Sequence, residues 1–149
     1  MKIWERLQNI SKIFLDTAPV IYFVEKNPRY GEIAGVVFSL IDNGSLSAIT
    51  SPVTLAECLT LPYRLRQTDL INAFVELLVN DDNVRFVPLD DQIAGKAAEL
   101  RAHYNLPLPD SFQIATAILS DCETVLTNDA AWKKITEIKA VVLDEMDSE

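Results

Sequence analysis

Lys12-Ile13-Phe14-Leu15-Asp16-Thr17-Ala18-Pro19 is the stretch that decides how this chain is read. Residues 12–15 form a short apolar strand, and Asp16 closes it. Thr17 offers a helix cap and Pro19 suits a first helical turn. Ile21, Tyr22 and Val24 then give an apolar face before Asn27-Pro28 breaks the run. A strand that turns directly into a helix is the unit from which parallel sheets are built.

The same alternation continues outward. Ile33, Val36, Val37, Leu40 and Ile41 predict a helix over 30–42, ending at Asn43-Gly44, with a strand following at 46–49. Ser51-Pro52 reads as a cap with proline at the first helical position, and that helix runs to Pro62. A helix over 68–79, a strand over 84–87 and a helix over 90–104 come next. Leu106-Pro107-Leu108-Pro109 reads as a stiff loop that launches a helix over 110–120. A strand at 124–126, a short helix at 129–135 and a last strand at 140–143 complete the order. Strands separated by helices predict a mainly parallel sheet covered on both faces, a three-layer α/β/α sandwich.

The 149 residues fit one domain over 1–149, with 1–11 as an N-terminal extension and 144–149 as an acidic tail. Ile3, Trp4, Leu7 and Ile10 share a helical face in that extension, suited to packing on the domain or on a partner. The 49% hydrophobic content is that of a globular chain, and runs such as 34–41 are far too short to span a bilayer. Residues 1–11 lack the apolar core of a secretory leader, so the expected location is cytoplasmic, away from membranes. Cys58 and Cys122 sit in separate apolar helix patterns and read as reduced core thiols. Thirteen basic against 22 acidic residues give a net charge of −9, which excludes broad binding to a long duplex through many phosphate contacts. A metal-filled acidic site with a local basic rim remains compatible with that balance.

Four carboxylates stand at strand-to-helix junctions or helix starts: Asp16, Glu57, Asp110 and Asp129. Ligands of open parallel sheets collect beyond the carboxyl ends of the strands, where strand order reverses. Asp16 leaves the first strand there, and Asp129 lies just past the fourth. Glu57 is in the second turn of the helix after strand 46–49. The helix opened by Asp110 feeds a parallel strand, so it begins at the same edge. Taken singly, Asp110 and Asp129 also suit helix N-termini and Asp16 suits a turn. A shared edge makes them a site for a hard cation such as Mg²⁺ or Mn²⁺.

Four stretches, taken in series, resemble those of PIN-domain proteins, in particular the VapC-like ribonuclease toxins. They are Ile13-Phe14-Leu15-Asp16-Thr17, residues 50–59 around Glu57, Leu106-Pro107-Leu108-Pro109-Asp110 with Ile114-Ala115-Thr116-Ala117, and Leu126-Thr127-Asn128-Asp129. The resemblance spans about 12–143. It implies a PIN-like fold and an Mg²⁺- or Mn²⁺-dependent endoribonuclease whose Asp16, Glu57, Asp110 and Asp129 hold the metal and carry the hydrolysis. It also implies a cognate antitoxin and a homodimer. Thr17 and Thr127, beside two of the acids, are candidates to support them. The chain departs from the pattern at Ala18, where family members often carry Asn or Ser.

Arg64 and Arg66, just beyond the Glu57 helix, are candidate contacts to RNA phosphates, with Lys133 and Lys134 as further ones. His103 is assigned no catalytic role, and the aromatic residues are read mainly as packing. The alternative reading is a PIN-like module without catalysis that acts through protein or RNA binding. An aspartate-based phosphoryl-transfer protein fits less well, because Ala18 stands where a phosphatase wants a second aspartate.

Overall fold

Ile13, Phe14 and Leu15 are all fully buried, so β1 (Lys12–Leu15) has apolar cover on both faces. Alternation along the strand sends Ile13 and Leu15 into one apolar cluster and Phe14 into another. The computed structural model, which describes residues 1–148, places β1 at the centre of a five-stranded parallel sheet. The other strands are β2 (Ser47–Thr50), β3 (Val84–Phe86), β4 (Thr124–Thr127) and β5 (Lys139–Val142), in the order β3-β2-β1-β4-β5. Phe14 is level with Ile49 of β2 and Val125 of β4, so one apolar layer runs across three strands.

Helices cover both faces, giving the expected three-layer α/β/α sandwich. One layer comprises α1 (Ile3–Arg6), α2 (Thr17–Val24), α3 (Gly31–Asp42), α4 (Pro52–Arg64) and α5 (Thr68–Leu78). Val20, Phe38, Cys58 and Phe74 from this layer close over Ile13, Leu15, Ala48 and Leu126. The opposite layer, α6 (Asp91–Tyr104) and α7 (Leu108–Leu119), seals Phe14, Ile49 and Val125 under Ile93, Leu100 and Ile114. Each such side chain contributes about 1.5–3 kcal/mol over leaving it in water. Both cysteines are free and buried, and burial pushes both thiols up, which keeps them protonated.

Strands β1, β2 and β3 step outward in one direction, and α6 and α7 then return the chain to β4 on the other side of β1. The order reverses between β1 and β4, which puts the ligand crevice of such a sheet at the carboxyl ends of those two strands. The Asp16 N–H donates to the Leu126 carbonyl at 3.0 Å, extending the pairing to the rim of that crevice.

Some local expectations are corrected. Helix α4 does not stop at Pro62 but passes through it to Arg64, because the proline ring is seated in buried surroundings that offset the missing backbone donor. Helix α7 starts at Leu108, inside the expected loop: Pro109 falls in the first turn, where a proline sacrifices no helical hydrogen bond. The N-terminal segment packs on its own domain through Ile3 and Leu7, and Trp4 stays 44% exposed. Lys2 pairs with Asp147, and Arg29 and Tyr30 hold Asp144, so the acidic tail is tied down over its described part. Glu149 lies outside the described residues.

Candidate active site

Asp16 is the N-cap of α2, its extended backbone letting Oδ1 accept the Thr17 N–H at 2.7 Å. Thr17 is therefore the first residue of the helix, not its cap. Asp16 Oδ2 accepts from the Thr127 hydroxyl at 2.7 Å, and Thr127 Oγ1 itself accepts the Asp129 N–H at 3.0 Å. Burial pushes the Asp16 carboxyl up to about 6; the Thr127 and Thr17 donors pull it down, and the charges of Asp110 and Glu57 push it further up.

Glu57 projects from an exposed side of α4 and accepts the Thr17 hydroxyl at 2.6 Å. Asp110, in the first turn of α7, accepts the indole N–H of Trp132 at 3.3 Å. Its carboxyl is also raised, by burial first and then by the charges of Asp129 and Glu57. Asp129 caps a 3₁₀ turn, Ala130–Lys134, with Oδ1 accepting the Ala131 N–H at 2.9 Å. Asp16 caps α2 where the sequence predicts a turn, and the cap reading thus holds for Asp129. It does not use every oxygen: among the described residues Glu57 Oε2, Asp110 Oδ1 and Asp129 Oδ2 have no protein donor.

The electrostatic couplings link all four acids, Asp16 to Asp110 and Glu57, and Asp110 to Asp129 and Glu57. None of them forms an ion pair among the described residues; the lysine and arginine pairs are with Asp144, Glu99, Glu137 and Glu145. As placed, no three carboxylate, histidine or cysteine groups among the described residues are gathered tightly enough to hold one ion together. The donor set still fits a hard divalent cation of the Mg²⁺ type, which needs one or two carboxylates and otherwise keeps water or phosphate oxygens. A buried acid crowded by two others, with no cationic side chain beside it, is the observation that agrees with such an ion.

Arg64 ends α4 and Arg66 lies in the turn beyond, at φ 53°; both are exposed. Lys133 is engaged by Glu145 at 2.8 Å. Trp132 is buried, and Tyr22 stacks on Tyr30 at 4.8 Å between ring centres. Ser51 occupies the N-cap position of α4 without capping it, its hydroxyl buried and unpartnered. Two residues lie outside the sequence reading, Gln113 and Thr54, whose side chains meet at 3.0 Å behind the acids; Trp132, expected in packing, is buried and also donates to Asp110. The available signal was spacing, since Gln113 follows Asp110 by three and Thr54 precedes Glu57 by three, one helical turn in each case. A groove of about 900 Å³ lies elsewhere, between the α2–α3 turn and α5, lined by Phe23, Val24, Leu77, Glu32 and Glu76 among others.

No curated protein matches the sequence. Solved structures do match the fold. VapBC2 from Rickettsia felis bound to a promoter DNA fragment is 16% identical with a TM-score of 0.67, over 88% of this chain and 98% of that one. FitAcB from Neisseria gonorrhoeae is 19% identical with a TM-score of 0.67, over 90% and 99%. VapC20 from Mycobacterium tuberculosis, described as a toxin cleaving the sarcin-ricin loop, is 17% identical with a TM-score of 0.61, over 76% and 86%. These likenesses concern the fold. The model of the PIN domain family matches residues 13–138, which takes in all four acids, and the chain belongs to that family.

Proposed function

We propose that this chain is a divalent-cation-dependent endoribonuclease, the toxin of a toxin–antitoxin pair. The observation that carries the reading is Asp16: a buried carboxylate at the β1–β4 switch point, crowded by Glu57 and Asp110 and without an ion pair. Asp16, Glu57, Asp110 and Asp129 would hold Mg²⁺ or Mn²⁺. When bound, such an ion supplies Lewis-acid charge to a phosphodiester and lowers the pKa of water.

The chain's own part is orientation. Thr127 and the Thr17 N–H fix both oxygens of Asp16, Thr17 Oγ1 holds Glu57, and Trp132 holds Asp110. Thr17 and Thr127 thus act behind the acids. Arg64 follows Glu57 by seven residues, so it lies on the same stripe of α4, about 10 Å along the axis. That is a fitting place to take an RNA phosphate away from the scissile one, with Arg66 extending the basic rim. Support for a partner protein comes from the matched structures, one of which is named as a toxin–antitoxin complex and another as a member of a family of toxin–antitoxin systems. We infer a cognate antitoxin and a homodimer for this chain, and a cytoplasmic setting where RNA is available.

The test is cleavage of RNA by the purified protein. Expected is activity with Mg²⁺ or Mn²⁺ that vanishes in EDTA and in folded Asp16→Asn and Asp110→Asn variants. Cleavage that persists in EDTA, or in those variants, would overturn the reading. Ala18 supports the alternative of a module without catalysis, because it supplies no polar group one residue into α2. Calorimetric titration with Mn²⁺ separates the two: a chain that takes up no ion has no route to this chemistry.

A further inference from the structure

Gln113 lies one turn beyond Asp110 on α7 and is fully buried. Its amide nitrogen reaches two hydroxyls, Thr54 Oγ1 at 3.0 Å and Thr17 Oγ1 at 3.3 Å. Each hydroxyl has one proton to give. On its other side Thr17 Oγ1 faces Glu57 Oε1 at 2.6 Å, and Thr54 Oγ1 faces the Leu15 carbonyl at 3.1 Å. An ionised carboxylate and a carbonyl can only accept. Both threonine protons therefore point away from Gln113, and both hydroxyl oxygens accept from its NH₂ group.

The cost of this arrangement is visible on the amide itself. Gln113 Oε1 is buried with no donor. Turning the amide over would place Oε1 between the two hydroxyls and draw their protons inward, stripping Glu57 and Leu15 of their donors. A bare buried acceptor is unfavourable, so the orientation is imposed by the two acceptors beyond the threonines.

The pattern has a counterpart at Asp16. There a backbone N–H, that of Asp129, occupies Thr127 Oγ1 and commits its proton to the carboxylate. At Glu57 the same relay, N–H to threonine to carboxylate, begins from a side chain. Glu57 depends on it more, because Thr17 is its sole hydrogen-bond partner among the described residues and its side chain is exposed.

We propose that Gln113 is a positioning residue for Glu57: by occupying Thr17 Oγ1 it commits that hydroxyl to Glu57 and holds the carboxylate in place for a divalent cation. This rests on the reading of the four acids as a cation site. Without the amide, the two hydroxyls are free to bond other groups, and Glu57 is released to solvent.

The test is Mn²⁺ titration of the full chain by calorimetry, with urea unfolding in EDTA to confirm that each variant folds. Gln113→Met keeps the length and removes both donors; Thr17→Val removes the middle of the relay. Each is expected to weaken Mn²⁺ binding about tenfold, as loss of an outer-shell partner does. The double variant is expected to bind no worse than Thr17→Val alone, and Thr17→Ser is expected to restore binding. Wild-type affinity in Gln113→Met, or an equal loss from Gln113→Met in the Thr17→Val background, overturns the proposal. Where Gln113→Met fails to fold, the threonine pair decides, since equal affinities in Thr17→Val and Thr17→Ser overturn it. A wild-type chain that takes up no more Mn²⁺ than Asp16→Asn overturns the cation-site reading and the proposal with it.

Discussion

Thr127 closes the contact between the two central strands at their carboxyl ends, its hydroxyl 2.7 Å from Asp16 Oδ2 and held in that direction by the Asp129 N–H. Removing the hydroxyl leaves a buried carboxylate oxygen without a donor, which costs about 1–3 kcal/mol. Thr127→Val is therefore expected to lose about 2 kcal/mol in urea unfolding at neutral pH, and Thr127→Ser to lose well under half of that.

Asp16 makes the metal-free protein less stable as pH rises. Its ordinary value is 3.8 and its folded value about 6, so between those pH values the folded chain keeps a proton that the unfolded chain has released. Its contribution is greatest below 3.8, falls through that interval and is lost above 6, an effect of about 3 kcal/mol. Asp16→Asn removes the charge. In EDTA at pH 8 it is expected to raise stability by about 2 kcal/mol, or roughly 4–8 °C in melting temperature. The gain should shrink to near zero at pH 4; a gain that is independent of pH speaks against the burial effect.

Trp132 links the second hydrophobic layer to the chemistry. Its N–H lowers the Asp110 carboxyl, which burial and neighbouring charges raise. Trp132→Phe keeps an aromatic ring in the core and removes the donor, so Asp110 should move still higher. The acid limb of the pH–rate profile for RNA cleavage should then shift to higher pH, with Mn²⁺ affinity at pH 8 changed less than at pH 6.

Arg64 and Arg66 can be separated by backbone conformation. Arg66 adopts φ 53°, a left-handed geometry that suits glycine. Arg66→Gly should therefore keep or slightly raise stability while weakening RNA binding. Arg64→Ala, on an ordinary helical residue, should weaken binding without a gain in stability. Both should leave Mn²⁺ affinity unchanged and reduce the salt dependence of RNA binding by about one phosphate contact each.

The elements that were legible in the sequence are those whose cause is local. The strand at Ile13-Phe14-Leu15 and the break at Asn27-Pro28 follow from neighbours in sequence, and the alternation of strand and helix predicts the sheet. At Pro62 local chemistry says stop, while burial of the ring says continue. The sequence around Thr17 is that of a helix start and predicts a cap; its hydroxyl goes instead to Glu57, 40 residues away. For Gln113 the one local signal is its spacing of one helical turn from Asp110, which does not name its partners. A glutamine in an apolar helix acquires meaning only when α2 and α4 bring two hydroxyls to it, and no local pattern encodes that meeting.

The bond between Thr127 and Asp16 spans 111 residues of chain. Strand β1 is made early in synthesis and waits for β4, made near the end, to complete its second edge. A nascent chain that has not yet emitted β4 holds Asp16 and Glu57 but neither Thr127 nor Asp129, and closing so long a loop is the slow step of such topologies. The four acids therefore come together only once β4 has been made, and a ribosome-bound fragment that stops short of it carries Asp16 and Glu57 without Thr127 or Asp129 beside them.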